Sequence, residues 1–334
     1  MATYTIKKGL NLPIAGSTST TDCVQGAAAQ QVALLPQEAW GIKVQMLVAV
    51  GDQVKVGSPL FCDRRDPDVI FTSPAAGTVA AVNRGARRAV QSVVVDVANF
   101  DEHAEMPASD GSRASLVATL AASGLWPNLR QRPFDKVALS GTTPQAIFVT
   151  ATDTNPLAVD PLHLVAGREA DVQAGLKAML TLSGGKVYLN TDGANDWSAF
   201  LVEGVEQHGF KGPHPAGNAG VHINALHPVN LERNVWHVDV QNLADMGAYL
   251  NSGKVPTARK VAVVGPAASK SEIVETQRGA SMNVFSSYAN STVRFVSGSL
   301  LAGATANPGE EKGFLGRFAQ QVSIVDDTPE REFI

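Results

Sequence analysis

Between residues 44 and 97 the apolar residues come in short β-rich runs, each cut off within a few positions by glycine, proline or aspartate. Residues 44–50 end at Gly51-Asp52. Val54 and Val56 then alternate with polar neighbours up to Gly57, and Leu60-Phe61 opens the next run. Residues 69–71 lead to Ser73-Pro74 and Gly77, and residues 79–82 and 93–97 complete the set. No window keeps the 3.6-residue repeat of an amphipathic helix, so this part of the chain is restricted to an all-β barrel or sandwich. Residues 99–112 (NFDEHAEMPASDGS) read as an acidic linker.

Beyond it the pattern changes. Residues 115–123 suit a short helix stopped by Gly124, and an irregular stretch follows to residue 134. Residues 146–150 (AIFVT) are continuously apolar, the mark of a strand buried on both faces. Residues 168–182 are helical in composition and end at Gly184-Gly185, and residues 186–189 (KVYL) form a second buried strand. Strand, crossover helix and strand make a βαβ unit with a parallel sheet. The pattern extends as a helix over 198–208, a Gly/Pro-rich loop over 209–220 and a helix over 241–250 that ends at Gly253. Residues 260–264, 293–296 and 320–325 are strand-like and define a third, small α+β unit.

Composition narrows the function. Lys and Arg number 27 against 31 Asp and Glu, a net charge of −4, which excludes a nucleic-acid binder that neutralises many phosphates. Cys23 and Cys62 are the two cysteines, too few for a disulfide framework or a four-thiolate cluster within one chain. No apolar run reaches the roughly 18 residues a membrane span needs. Residues 1–16 lack a signal peptide's apolar core, so a soluble cytoplasmic protein is expected.

Self-sufficient active-site motifs are missing. After residues 147–149 no glycine occurs before Gly167, so the phosphate cradle of a dinucleotide site is absent, and Asp153 and Asn155 read as turn formers ahead of Pro156. His208, His214, His222, His227 and His237 have neither i,i+4 nor His-Glu-x-x-His spacing, and no metal site is expected. The loop Gly212-Pro213-His214-Pro215-Ala216-Gly217 fixes an imidazole that can face a ligand or partner or serve as a rigid turn. No catalytic residue is assigned.

Val48-x-x-Gly51-Asp52-x-Val54-x-x-Gly57-x-x-Leu60 followed by Ser73-Pro74-x-x-Gly77-x-Val79 resembles the two half-motifs of biotinyl/lipoyl carrier domains. The carrier's swinging lysine is missing, since no Lys occurs between Lys55 and residue 100, so the fold is expected as scaffold without carrier chemistry. On a larger scale, IKKGLNLPIAG (6–16), residues 71–97, SGLWPNLRQRPFDKV (123–137), AIFVTATDTNPLA (146–158), FKGPHPAGNAGVH (210–222), SGSLLAG (297–303) and GRFAQQVSIV (316–325) together resemble the A-subunit family of bacterial Na+-translocating NADH:quinone reductases.

The resemblance implies a multidomain α/β and β architecture: a barrel-sandwich hybrid over 1–105, a Rossmann-like α/β domain over 106–257 and a β-grasp domain of the soluble-ligand-binding type over 258–312. Residues 313–334 would begin a helical region that runs further in full-length members. The resemblance also implies a peripheral cytoplasmic subunit on membrane partners, in a complex that uses NADH, flavins, ubiquinone and Na+. Flavin-binding relatives in complex I and Rnf-type complexes carry a Gly-rich loop where this chain has residues 123–134, and they carry Fe–S cysteines missing here, so no cofactor is expected on this chain. Trp126, Arg130, Arg132, Phe134 and His214 are the candidate quinone- or partner-facing residues. A self-contained flavin or NADH oxidoreductase and a scaffold without a small-molecule site stay open as alternatives.

Overall fold

The computed structural model describes residues 1–289 and 292–328. The β-rich part forms two small sheets. One runs Gln31–Leu34, Val90–Asn99, Ala76–Arg84, Gln53–Val54, and the other runs Val44–Met46, Pro59–Asp63, Asp66–Thr72. Their facing valines, with Leu60 and the stacked Phe61 and Phe71 rings (centroids 4.6 Å apart), fill the space between them. This is a barrel-sandwich hybrid. At the tip where a carrier lysine would sit, the hairpin carries Arg64-Arg65, tied down by the Asp63 carboxylate, which accepts the Lys43 N–H at 2.9 Å.

The central layer is a seven-stranded sheet in the order Ala2–Thr5, Val205–Lys211, Lys186–Thr191, Ala146–Ala151, Val235–Asp239, Arg130–Arg132, Lys136–Val137. The first five strands are parallel and the last two antiparallel. Five α-helices accompany it: α1 (Arg113–Ala122), α2 (Pro161–Val165), α3 (Glu169–Leu182), α4 (Ala219–Leu226) and α5 (Val240–Ser252). Alternation along Ala146–Ala151 divides the core: Ile147 and Val149 face the side buried by α3 and α5, while Ala146 and Phe148 face Ile223 of α4. Asp239 caps α5 by accepting the Asn242 N–H at 2.9 Å, and Gly253, at φ 70°, closes it in the left-handed region where a side chain is disfavoured.

The third sheet runs Ala304–Thr305, Val293–Ser297, Gln321–Asp326, Ala258–Val264, Glu272–Gln277, Cys23–Gln25. Its core is separate, centred on Val261, Val263, Phe285, Val322 and Ile324.

Two expectations need correction. Residues 198–208 are not a helix: a single 3-10 turn, Ser198–Phe200, is followed by Gly204 at φ 91° and the strand Val205–Lys211. That strand is polar because pairing on both sides supplies its hydrogen bonds, with Glu206 bridged to Lys186 at 2.7 Å. Two short segments ahead of the small sheets pair elsewhere: Ala2–Thr5 and Cys23–Gln25 are edge strands of the seven-stranded sheet and of the third sheet. Residues 313–328 do not begin a separate region: Gln321–Asp326 lies inside the third sheet, between Val293–Ser297 and Ala258–Val264. Residues 329–334 of that expected region lie outside the described residues.

Candidate functional site

From Ala146–Ala151 the chain crosses by α3 to one side of that strand, then returns by α4 to Val235–Asp239 on the other. The strand order reverses between these two strands, and open parallel sheets bind ligands beyond their carboxyl ends at such a reversal. A cleft of about 380 Å3 lies there, lined by Arg130, Arg132, Asp153, Asn155, Asp239 and Phe318 among others. It continues into a neighbouring cleft of about 690 Å3 that shares Arg130, Asp153, Asn155 and Phe318 and is walled by the third sheet. The two layers are tied at the rim, where the Ser299 hydroxyl donates to Asn155 Oδ1 at 3.0 Å and Gln321 Nε2 donates to the Pro156 carbonyl at 3.2 Å.

The Arg130 guanidinium stacks over the Phe318 ring, 4.9 Å from its centroid, and pairs with Asp135. Arg132 Nη1 lies 3.6 Å from the same carboxylate, and His237 Nε2–H donates to Asp135 Oδ1 at 2.8 Å. Burial alone would raise the Asp135 carboxyl, but the His237 hydrogen bond and the two arginines outweigh it and hold it down to about 2. His237 itself is lowered, chiefly by burial, with the Asp135 hydrogen bond and charge opposing. Deeper in, burial raises the Asp153 carboxyl despite two hydrogen bonds from Asn155 at 2.8 and 2.7 Å. Four buried polar atoms among the lining residues have no partner: Asn128 Nδ2, Arg132 Nε, Thr150 Oγ1 and Gln320 Oε1.

The five residues singled out in the sequence separate. Arg130 and Arg132 reach the cleft. Trp126 does not: it is 0% exposed, edge-on to Trp236, with its indole N–H donated to the Ala138 carbonyl at 2.7 Å. Phe134 is 61% exposed and lies under the Lys136 ammonium, outside the cleft lining. His214 sits behind the cleft, its Nδ1 3.4 Å from Thr154 Oγ1 and its carbonyl accepting the Leu10 N–H at 2.9 Å. Asp153, Asn155, Asp239, His237 and Phe318 were missed as site residues. Asp153, Asn155 and Asp239 stand at or just past strand ends that become neighbours at the reversal, His237 lies within Val235–Asp239, and Phe318 arrives from the turn before Gln321–Asp326.

The segment after α1 turns inward. Leu125, Trp126 and Leu129 are fully buried, and a Cβ on Gly124 would run into the Thr72 side chain. Asn128 accepts Arg317 Nη1 at 2.8 Å. Among the described residues no group of His, Cys, Asp and Glu is placed to hold a metal, and no helix is long and apolar enough to cross a membrane.

Asp135→Asn isolates the charge of this cluster, because Asn tolerates the left-handed backbone (φ 55°) found at Asp135. The carboxylate is about one-third exposed, so solvent screening limits the expected loss to about 1 kcal/mol at neutral pH. A lowered folded-state pKa stabilises above the unfolded value near 4, and that contribution disappears as pH falls through about 2. Urea midpoints of the two proteins are therefore expected to differ by a constant amount at pH 5–7 and to converge below about pH 4. A gap that persists unchanged in acid would refute the charge assignment.

The N-terminal barrel-sandwich hybrid domain of NqrA matches residues 4–98, and the second alpha/beta domain of NqrA matches residues 111–255. A NAD+-reducing [NiFe]-hydrogenase in its air-oxidized state aligns over 56% of this chain and 41% of its own, at 15% identity and TM-score 0.41, too loose a likeness to bear on fold or function. The A-subunit of the Na(+)-translocating NADH-quinone reductase of Vibrio atlanticus is 41% identical over 98% of this chain and 74% of its own length. Its namesake from Rhodopirellula baltica is 40% identical over the same shares. Identity at that level across nearly the whole chain shows that it belongs to the NqrA family, the A-subunits of Na(+)-translocating NADH-quinone reductases.

Proposed function

We propose that this chain is the subunit of a Na+-translocating NADH-quinone reductase that holds no redox cofactor, docks on the cytoplasmic side against the membrane subunits, and receives a quinone head group in the cleft beside Arg130 and Phe318. In this reading residues 106–257 are a Rossmann-like unit, supported by the order of the strands Val205–Lys211, Lys186–Thr191, Ala146–Ala151, Val235–Asp239, a 3-2-1-4 arrangement. Residues from 258 onward are a β-grasp unit. Its support is the parallel pairing of Ala258–Val264 with Gln321–Asp326 at the centre of the sheet. The cofactor-free reading rests on the buried bulk of Leu125, Trp126 and Leu129 after α1.

The observation that carries the quinone reading is the combination of an aromatic wall with unsatisfied donors. A quinone ring is planar and apolar with a carbonyl acceptor at each end. The cleft offers the Phe318 ring, the Arg130 guanidinium, and the unpartnered Arg132 Nε and Thr150 hydroxyl. Buried donors without partners gain a hydrogen bond when such a ligand enters. Electron transfer would then belong to the flavins of the partner subunits, and this chain would bind and orient.

A short-tailed ubiquinone analogue at about 100 times its dissociation constant is expected to add about 2.7 kcal/mol of stability to the purified chain. Arg130→Ala and Phe318→Ala are each expected to weaken that binding about tenfold, a loss of about 1.4 kcal/mol. An analogue that leaves the melting temperature unchanged up to its solubility limit would favour a scaffold without a small-molecule site. A flavin band in the visible spectrum of the purified chain would favour a self-contained oxidoreductase.

A further inference from the structure

Another cavity lies where the barrel-sandwich meets the third sheet. It is narrow, about 30 Å3, and is lined by Arg259, Arg278 and Arg317 together with Phe61, Phe71 and Glu38. A water molecule needs only about 10–15 Å3 measured this way, so one small occupant fits and a polyatomic ion such as sulfate does not.

Charge around the cavity does not balance. Arg278 Nη1 donates to the Pro256 carbonyl at 3.3 Å, and Arg317 Nη1 donates to the Gly124 carbonyl at 3.0 Å and to Asn128 at 2.8 Å. Arg259 donates to Asn242 at 2.9 Å and to the Ala319 carbonyl at 3.2 and 3.1 Å. Nearly all of these acceptors are neutral. Among the described residues the one carboxylate within 4.0 Å of the three is Asp245, at 4.0 Å from Arg259, and it already holds Arg168 at 2.9 Å. Glu38 spends one oxygen on the Arg317 backbone N–H at 3.0 Å, and burial raises its carboxyl. Burial, and then the nearby Arg278 charge, push the Arg317 guanidinium down to about 9, with the Glu38 and Asp245 carboxyls opposing. Uncompensated buried charge is strongly unfavourable, and an anion among the guanidiniums offsets it.

We propose that this cavity binds one small monovalent anion of the halide class, held by Arg259, Arg278 and Arg317 where the barrel-sandwich meets the third sheet. Neither the subunit role nor the quinone cleft enters into it. The ion would act as a structural counter-charge joining the barrel-sandwich to the third sheet.

Bromide is the probe. Crystals of the full chain grown in bromide are expected to show one anomalous peak inside the cavity, against the three guanidiniums. In solution, the melting temperature is expected to rise with chloride and not with gluconate at equal ionic strength, and Arg278→Met is expected to abolish the difference. Should Arg278→Met fail to fold, Glu38→Gln provides the second arm. It keeps the shape and removes the competing carboxylate, so half-saturation by chloride is expected to fall about tenfold. An empty cavity in bromide, or identical chloride and gluconate curves for both the parent and Glu38→Gln, would overturn the proposal.

Discussion

Replacing Trp126 by alanine is expected to lower stability by about 3–5 kcal/mol, the range for removing a fully buried large aromatic side chain. The side chain is 0% exposed, and its ring edge meets Trp236 at a centroid distance of 5.3 Å. Truncation would also leave the Ala138 carbonyl without its 2.7 Å donor. For a unit of this size the melting temperature should fall by roughly 6–20 °C. Phe134→Ala is the matched control: its ring is 61% exposed, and its loss should change stability by no more than about 0.5 kcal/mol. Both aromatics come from one stretch of sequence and were candidates for the same quinone- or partner-facing role, and the structure gives them opposite surroundings. A Trp126→Ala protein that melted like the parent but no longer responded to a quinone analogue would return Trp126 to the ligand.

The contrast shows what the sequence could and could not disclose. Elements whose cause is local were legible. Residues 146–149 are apolar at every position because helices cover both faces of that strand, and Asp239 and Gly253 mark the ends of α5 by capping chemistry that needs no distant partner. Val205–Lys211 was illegible because its hydrogen bonds come from Lys186–Thr191 and from Ala2–Thr5, some two hundred residues away, while its own composition is polar enough to suit a helix. The candidate site divides the same way. Arg130 and Arg132 stood out by type. Asp153 and Asn155 looked like turn formers and Asp239 was not singled out; only the reversal of strand order places the three around one cleft. Phe318 was hidden by its origin in the turn before Gln321–Asp326, and the three arginines of the small cavity are scattered between residues 259 and 317.

A chain ended after residue 312 should lose its third sheet altogether. The cut removes Gln321–Asp326, which pairs in parallel with Ala258–Val264 on one side and antiparallel with Val293–Ser297 on the other. It takes Leu315, Val322 and Ile324 out of the core, each 1% exposed or less. At about 1.5–3 kcal/mol per buried side chain the loss is roughly 5–9 kcal/mol, comparable to the whole stability of an ordinary domain. Two strand edges would also open to solvent, a template for aggregation. Limited proteolysis should then cut within residues 258–312 while residues 113–252 stay protected. The quinone cleft should fail in the same protein, because Phe318 and the Gln321 contact to Pro156 go with the strand. Were residues 313–334 instead a detachable appendage, the shortened chain would keep the parent's proteolytic pattern and unfold at the parent's temperature. The position of Gln321–Asp326 between two partners argues that it will do neither.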